Sequence, residues 1–189
     1  VFVFTPKGKL IVLPGHSSVL DFAYEIHSDI GRRCLGAKVN QKLVPLSYEL
    51  KNGDQIEIIT SKSQKPTEDW LKFVVTAKAR SKIRDFLRDE RKQKTEDGRL
   101  LVEARVHALG IEPTRANLGR LLAYYQVYSL PEFYYRIAIG QLDAREIAAS
   151  FFDPTQPLPK TPLLIQPNTF DEQVKQHTGK PSDEMVVSG

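Results

Sequence analysis

The apolar residues change their period once along this chain, and that change limits the folds open to it. Up to about residue 60 they alternate in short β-branched and aromatic runs around one helical stretch. Beyond residue 66 they recur every three to four residues. Strands followed by helices place the chain in the α+β class. The polar stretch Ser61-Lys62-Ser63-Gln64-Lys65-Pro66 sits at the change, and divides a first domain, residues 1–62, from a helical domain, residues 63–152.

Within the first domain, residues 1–5 and 10–13 read as two strands joined by the turn Pro6-Lys7-Gly8-Lys9. Ser18 followed by Asp21 is a helix-capping arrangement, and Leu20, Ala23, Ile26 and Ile30 then recur at helical spacing, predicting one helix that stops at Gly31. Two further strands, over residues 34–39 and 43–46, flank Asn40-Gln41-Lys42. After Asn52-Gly53-Asp54, Gln55 and Glu57 alternate with Ile56 and Ile58, a strand with one wet face. A hairpin, one helix and a second set of strands within 62 residues make a β-grasp, because one helix covers only one face of a small mixed sheet.

In the second domain Thr67 opens a turn holding Trp70, and Ala79, Ile83, Phe86 and Leu87 form a stripe on a helix from Ala77 onward. Gly98 reads as the start of a separate helix carrying Leu101, Val102, Val106 and Leu109. A third helix carries Leu118, Leu121, Leu122 and Tyr125. Ser129 with Glu132, and Asp143 with Glu146, each carry a capping-box signal for a helix start. From Asp153 prolines crowd the chain, and residues 153–189 read as a linker toward a following domain.

The chain has 189 residues, a net charge of +4 and one cysteine. Cys34 cannot form an internal disulfide, so a reducing compartment, the cytoplasm, is expected. No apolar run approaches the roughly 20 residues of a membrane span. The chain opens directly on a strand without an initiating Met, which predicts further residues before Val1.

Little here points to catalysis. Pro6-Lys7-Gly8-Lys9-Leu10 is not a phosphate-binding loop, which ends in Gly-Lys-Ser/Thr. His16, His27, His107 and His177 lack the paired Cys/His spacing of a zinc site. No catalytic residue, metal site or cofactor is therefore expected, and Cys34 reads as a small packing group.

The signals that remain are for binding. Residues 72–94 carry nine Lys and Arg against three Asp and Glu. Arg80, Arg84 and Arg88 stand four apart, on one helix face suited to a phosphate backbone or to plain solvation. His27, near Ala23 and Tyr24, has two readings: a packed histidine, or with Tyr24 a stacking platform for single-stranded RNA.

Several stretches together resemble a known family. Val3-Phe4-Thr5-Pro6-Lys7-Gly8, Val19-Leu20-Asp21-Phe22-Ala23-Tyr24, Ile26-His27-Ser28-Asp29-Ile30-Gly31, Cys34-Leu35-Gly36-Ala37-Lys38-Val39-Asn40 and Asn52-Gly53-Asp54-Gln55-Ile56-Glu57-Ile58-Ile59-Thr60 are similar to the TGS domain of RelA/SpoT enzymes. Asp69-Trp70-Leu71 and Ala79-Arg80-Ser81-Lys82-Ile83-Arg84 resemble the start of that family's helical domain, and residues 184–189 the approach to its Cys-rich domain. The resemblance implies a non-catalytic regulatory piece of an enzyme that makes or hydrolyses (p)ppGpp, with the hydrolase and synthetase domains before Val1. It implies that uncharged tRNA on the ribosome is the ligand, its 3′ CCA end held by His27 with Tyr24, Lys7, Arg33 and Lys38, and its phosphates by Arg80, Arg84 and Arg88. The family also offers acyl carrier protein, or the enzyme's own catalytic domains, as alternative partners.

Overall fold

A computed structural model describes residues 1–151 of the chain; the proline-rich stretch and the residues after it lie outside them. Strands β1 (Phe2–Phe4) and β2 (Leu10–Val12) form the expected antiparallel hairpin, Phe2 opposite Val12 and Phe4 opposite Leu10. Gly8 takes φ +80° in the turn, a value glycine adopts without penalty. Strand β3 (Cys34–Val39) is central to a second sheet, antiparallel to both β4 (Lys42–Val44) and β5 (Ile56–Thr60). The two-residue turn between β3 and β4 holds Asn40 and Gln41 at φ +49° and +69°, the mirror-image turn that suits the twist of a hairpin.

A parallel bridge between Phe4 and Gln55 stitches the two sheets together, helped by the Phe4 amide donating to the Asp54 carbonyl at 2.8 Å. The order is therefore β2-β1-β5-β3-β4, with helix α1 (Val19–Ile26) against one face: the mixed sheet of a β-grasp. Val3, Leu20, Phe22, Ala37 and Ile56 are buried between them.

The predicted single helix over residues 18–31 is in fact two. α1 ends at Ile26, His27 is extended, and α2 (Ser28–Arg33) starts anew. The apolar spacing runs on through the break, because Ile26 and Ile30 pack against the same core from both helices.

The opposite correction applies at Gly98. α3 (Ala77–Ala108) runs unbroken for 32 residues, about 48 Å at 1.5 Å per residue. A Cβ on Gly98 would lie 1.9 Å from the carbonyl oxygen of Tyr134 on α5 (Leu130–Ala138). Glycine costs a helix interior about 1 kcal/mol relative to alanine, but here it lets two backbones meet, so it marks a helix crossing and not a helix end. α4 (Arg115–Tyr125) lies where the third helix is predicted. Ser129 caps α5 through the Glu132 amide at 3.4 Å, while the Glu132 carboxylate goes to Arg136 and Arg91, at 2.7 and 2.6 Å. The Asp143 signal opens only a 3-10 turn, Ala144–Ile147.

α3 belongs to two cores. Its Ala79 and Ile83 join Trp70 and Val74 in the first, against the β-grasp. Its Val102 and Val106 join Leu121, Phe133, Ile137 and Ile147 in the second. One side chain sets how α3 leaves the β-grasp. The fully buried Asp21 carboxylate accepts from the Ser18 amide and hydroxyl at 2.8 Å, from the Val75 amide at 3.1 Å, and from the Thr76 amide and hydroxyl at 2.8 Å. Ser18 caps α1 and Thr76 caps α3, so one carboxylate joins two helix N-termini that are distant in the chain. Among the described residues no helix is long and apolar enough to cross a membrane.

Candidate functional site

The break between α1 and α2 is built by His27. Its backbone is extended, φ −165° and ψ 145°, so it caps both helices. Its N–H donates to the Ala23 carbonyl at 3.2 Å, closing α1, and its carbonyl accepts from the Gly31 amide at 3.0 Å, opening α2. Its Nδ1 accepts from the Asp29 amide at 3.1 Å, the part an Asn or Ser usually plays at an N-cap. The ring is turned outward, with 65% of the side chain exposed, and the Asp29 carboxylate stands 3.8 Å from Nδ1 while bonding Arg32 on its other oxygen.

Tyr24 is not beside it at the surface. The ring is fully buried, and a Cβ on Gly31 would fall 2.4 Å from it, so the ring lies flat on α2 at the one place that lacks a side chain. Burial raises the phenol well above its ordinary range, and the hydroxyl has no hydrogen-bond partner among the described residues. Stacking of Tyr24 on a base is excluded by this packing. Its contribution is to hold α2, and with it the His27 corner, against α1.

The other predicted residues fall into two groups. Arg33 is exposed at the end of α2, just before β3, and its carbonyl accepts from the Ser61 amide at 2.9 Å. Lys38 lies near the far end of β3, on the outer face between Leu43 and Glu57. Lys7 is in the β1–β2 turn on that same side, next to Pro6, whose carbonyl accepts from Gln55. Five residues of strand, roughly 16 Å, separate Arg33 from Lys38. His27 and Arg33 thus share one end of the sheet, Lys38 and Lys7 the other.

On α3, Arg80 bonds the Val74 carbonyl at 2.9 Å, closing the entry to the helix. Arg84 is exposed and forms no ion pair among the described residues. Arg88 is exposed but sits 3.1 Å from Asp85 and 3.7 Å from Asp89. Exposed pairs of this kind contribute under about 1 kcal/mol and yield readily to a competing phosphate.

Reasoning from the sequence passed over Arg32 and gave Lys82 no role beyond the charge count. An open groove of about 690 Å³ runs between α2 and α3 from Ser28, the neighbour of His27, and Arg32, Lys82 and Arg88 line it beside Asp85, Asp89 and Glu90. Lys82 lies on a different face from the row of arginines, which is why spacing alone did not single it out. Among the described residues no cluster of three His, Cys, Asp or Glu is arranged to hold a metal ion. Cys34 is buried, and burial pushes its thiol up to about 12.

With this geometry in hand, comparison with known proteins is informative. Residues 1–60 match the family model described as the TGS domain. The chain is 54% identical over 95 residues to a GTP pyrophosphokinase of Myxococcus xanthus, covering 50% of this chain and 12% of that protein. It is 42% identical over 147 residues to the GTP pyrophosphokinase of Escherichia coli K12, covering 75% and 20%. It is 38% identical over 153 residues to a guanosine-3′,5′-bis(diphosphate) 3′-pyrophosphohydrolase of Vibrio cholerae, covering 78% and 21%. The chain thus spans about a fifth or less of the length of these relatives.

Proposed function

The chain belongs to the RelA/SpoT family, and from that premise we propose that it is a regulatory, non-catalytic region of a cytoplasmic (p)ppGpp synthetase or hydrolase that senses uncharged tRNA through its 3′ CCA end on the ribosome. The observation that carries this reading is the outward-facing imidazole of His27, held at a fixed corner between two helices. The corner positions a polar ring without burying it, which suits a ligand that comes and goes. Discrimination follows from fit: a site closed on a terminal ribose accepts free hydroxyls and clashes with an esterified amino acid. Arg33 lies on the same side, and the groove offers Arg32, Lys82 and Arg88 to phosphates, beside the carboxylates of Asp85, Asp89 and Glu90.

The test is a binding comparison between uncharged and aminoacylated tRNA, with His27→Ala beside the wild type. Uncharged tRNA binds more tightly, and His27→Ala removes the preference. Equal binding of both tRNAs by the wild-type chain would refute the reading. Arg84→Ala lowers the slope of affinity against salt by about one contact.

A second reading rests on a different surface. Phe2 and Val12 face each other across the hairpin and are 55% and 61% exposed, with Leu10 beside Phe4 on the same face. An apolar face on an edge hairpin suits a protein partner, here acyl carrier protein or the enzyme's own catalytic domains. Retention of acyl carrier protein by the wild-type chain and its loss in Val12→Lys would favour this reading over RNA.

A further inference from the structure

The hairpin leaves one edge of the sheet open. The Leu13 amide donates to the Val1 carbonyl and the Thr5 amide to the Lys9 carbonyl, both at 2.9 Å. Bonded pairs alternate with unbonded ones in an antiparallel ladder, so Ile11 directs its N–H and carbonyl to Val3, while Leu10 and Val12 turn theirs away from β1. β2 is the end strand of the sheet, and no backbone partner meets these two N–H and two carbonyl groups among the described residues. At the opposite edge β4 turns out only Leu43 in this way among its three residues, because Val39 and Lys42 close the two-residue turn. The side chains of Leu10 and Val12 share the outer face with Phe2, all three exposed, whereas Ile11 packs inward on the first core. Residues 1–15 hold Lys7 and Lys9 and no Asp or Glu, and both lysines are exposed beside the start of β2.

We propose that β2 is a docking edge for an extended, acidic segment of a partner protein, which adds to the sheet as one more strand, antiparallel to β2. This rests on the second reading above, a protein partner at the hairpin, and specifies the part of the partner that is taken. Leu10 and Val12 exchange backbone bonds with the residues opposite them, and those residues set their side chains on the outer face beside Leu10 and Val12. Apolar residues at these two places extend the exposed patch of Phe2, Leu10 and Val12. The next residue of the segment stands opposite Lys9, where a carboxylate finds its counter-charge. The sequence that fits is therefore apolar, any residue, apolar, then Asp or Glu. Backbone bonds carry most of the contact, because three side chains fall far short of the roughly 800 Å² per partner of a standard stable interface. A second copy of this chain fits the edge less well: paired about Ile11 it sets Leu13 opposite Lys9 and brings no carboxylate there.

The test uses the whole chain and the peptide acetyl-Thr-Val-Thr-Val-Glu-Glu-amide, whose valines stand opposite Val12 and Leu10 and whose first Glu stands opposite Lys9. On its addition the Leu10 and Val12 amides shift in nitrogen–proton NMR spectra and exchange more slowly with solvent. Methylating both valine nitrogens removes the two donors that face β2 and weakens binding by at least about tenfold. Methylating the nitrogen of the Thr between them, which faces away from β2, changes binding by less than about twofold. Replacing both Glu by Lys weakens binding by about threefold, and Lys9→Glu reverses that order. The proposal is overturned if the valine-methylated peptide binds as well as the unmodified one, if the β4 amides are protected in place of Leu10 and Val12, or if the acidic peptide does not bind at millimolar concentration. The second reading has its own outcomes. Acyl carrier protein that binds the wild-type chain without protecting the Leu10 and Val12 amides, and is lost in Val12→Lys, upholds a face that takes a folded surface and refutes strand addition. Retention that survives Val12→Lys removes acyl carrier protein from this face and leaves the peptide results to stand on their own.

Discussion

Replacing Asp21 by Asn is the most severe conservative change this structure allows. The carboxylate accepts five donors, two from Ser18, one from Val75 and two from Thr76. An amide of the same shape keeps one oxygen and turns an NH2 toward the rest. With the oxygen left on Val75 and Thr76, the Ser18 hydroxyl can rotate to accept, but the Ser18 amide is left facing a donor. One buried, unsatisfied N–H costs about 1–3 kcal/mol, and the surviving bonds lose their charge assistance, about 1 kcal/mol in total after the relief of burying no charge. The expected loss is about 3 kcal/mol. With a urea slope near 2 kcal/mol per molar, that moves the midpoint down by about 1.5 M. Urea unfolding followed by the fluorescence of Trp70, which lies in the first core, measures it. Hydrogen exchange at the Val75 and Thr76 amides shows whether the loss is at this joint. Asp29→Asn is the control: its carboxylate is half exposed and pairs with Arg32 at the surface, so its removal changes stability by under about 1 kcal/mol. An Asp21→Asn midpoint within about 0.5 M of wild type would refute the argument that this carboxylate joins the two helix starts.

Three further outcomes are expected. Gly98→Ala forces its new methyl onto the Tyr134 carbonyl and destabilises the second core by about 2–3 kcal/mol; helicity by circular dichroism is then lost at lower urea while the Trp70 transition stays in place. Cys34, whose thiol is pushed up to about 12, does not react with a thiol reagent until the chain unfolds. Because the free thiol ionises near 8.5, its folded-state preference for the neutral form is full below that pH and is lost as pH rises toward about 12, so midpoints measured across this range decline. Tyr24→Phe deletes a hydroxyl that has no partner among the described residues, and leaves stability unchanged or raises it by up to about 1 kcal/mol.

Much of the β-grasp was legible in the residues because its signals are local. Pro6-Lys7-Gly8-Lys9 is a turn on its own chemistry, and Gln55 to Ile58 alternates visibly. Ser18 and Asp21 read correctly as a cap, but the larger part of Asp21's work could not be read, since Val75 and Thr76 lie far along the chain. Apolar spacing located the helices and misplaced their ends for one reason: it reports which side faces the core, not whether the backbone is continuous. Ile26 and Ile30 stay in phase across the His27 break, and Gly98 falls out of pattern inside an unbroken helix. For the candidate site, spacing set the row of arginines on one face of α3, while His27 was singled out by its neighbours Ala23 and Tyr24 and by the resemblance. It could not tell that Tyr24 is sealed beneath Gly31, because an aromatic residue beside a histidine looks the same whether it faces in or out. Lys82 and Arg32 came into view only when α2 and α3 were set side by side.

α3 is shared between two cores and is fastened at its start by Thr76 and Asp21. A stiff rod pinned near one end magnifies small angles: tilting it by about 5° carries its far end, about 48 Å away, through roughly 4 Å. A sub-ångström adjustment in the packing around Ala79 and Ile83 is thereby enlarged, at the helices around Val102 and Val106, to the width of a side chain.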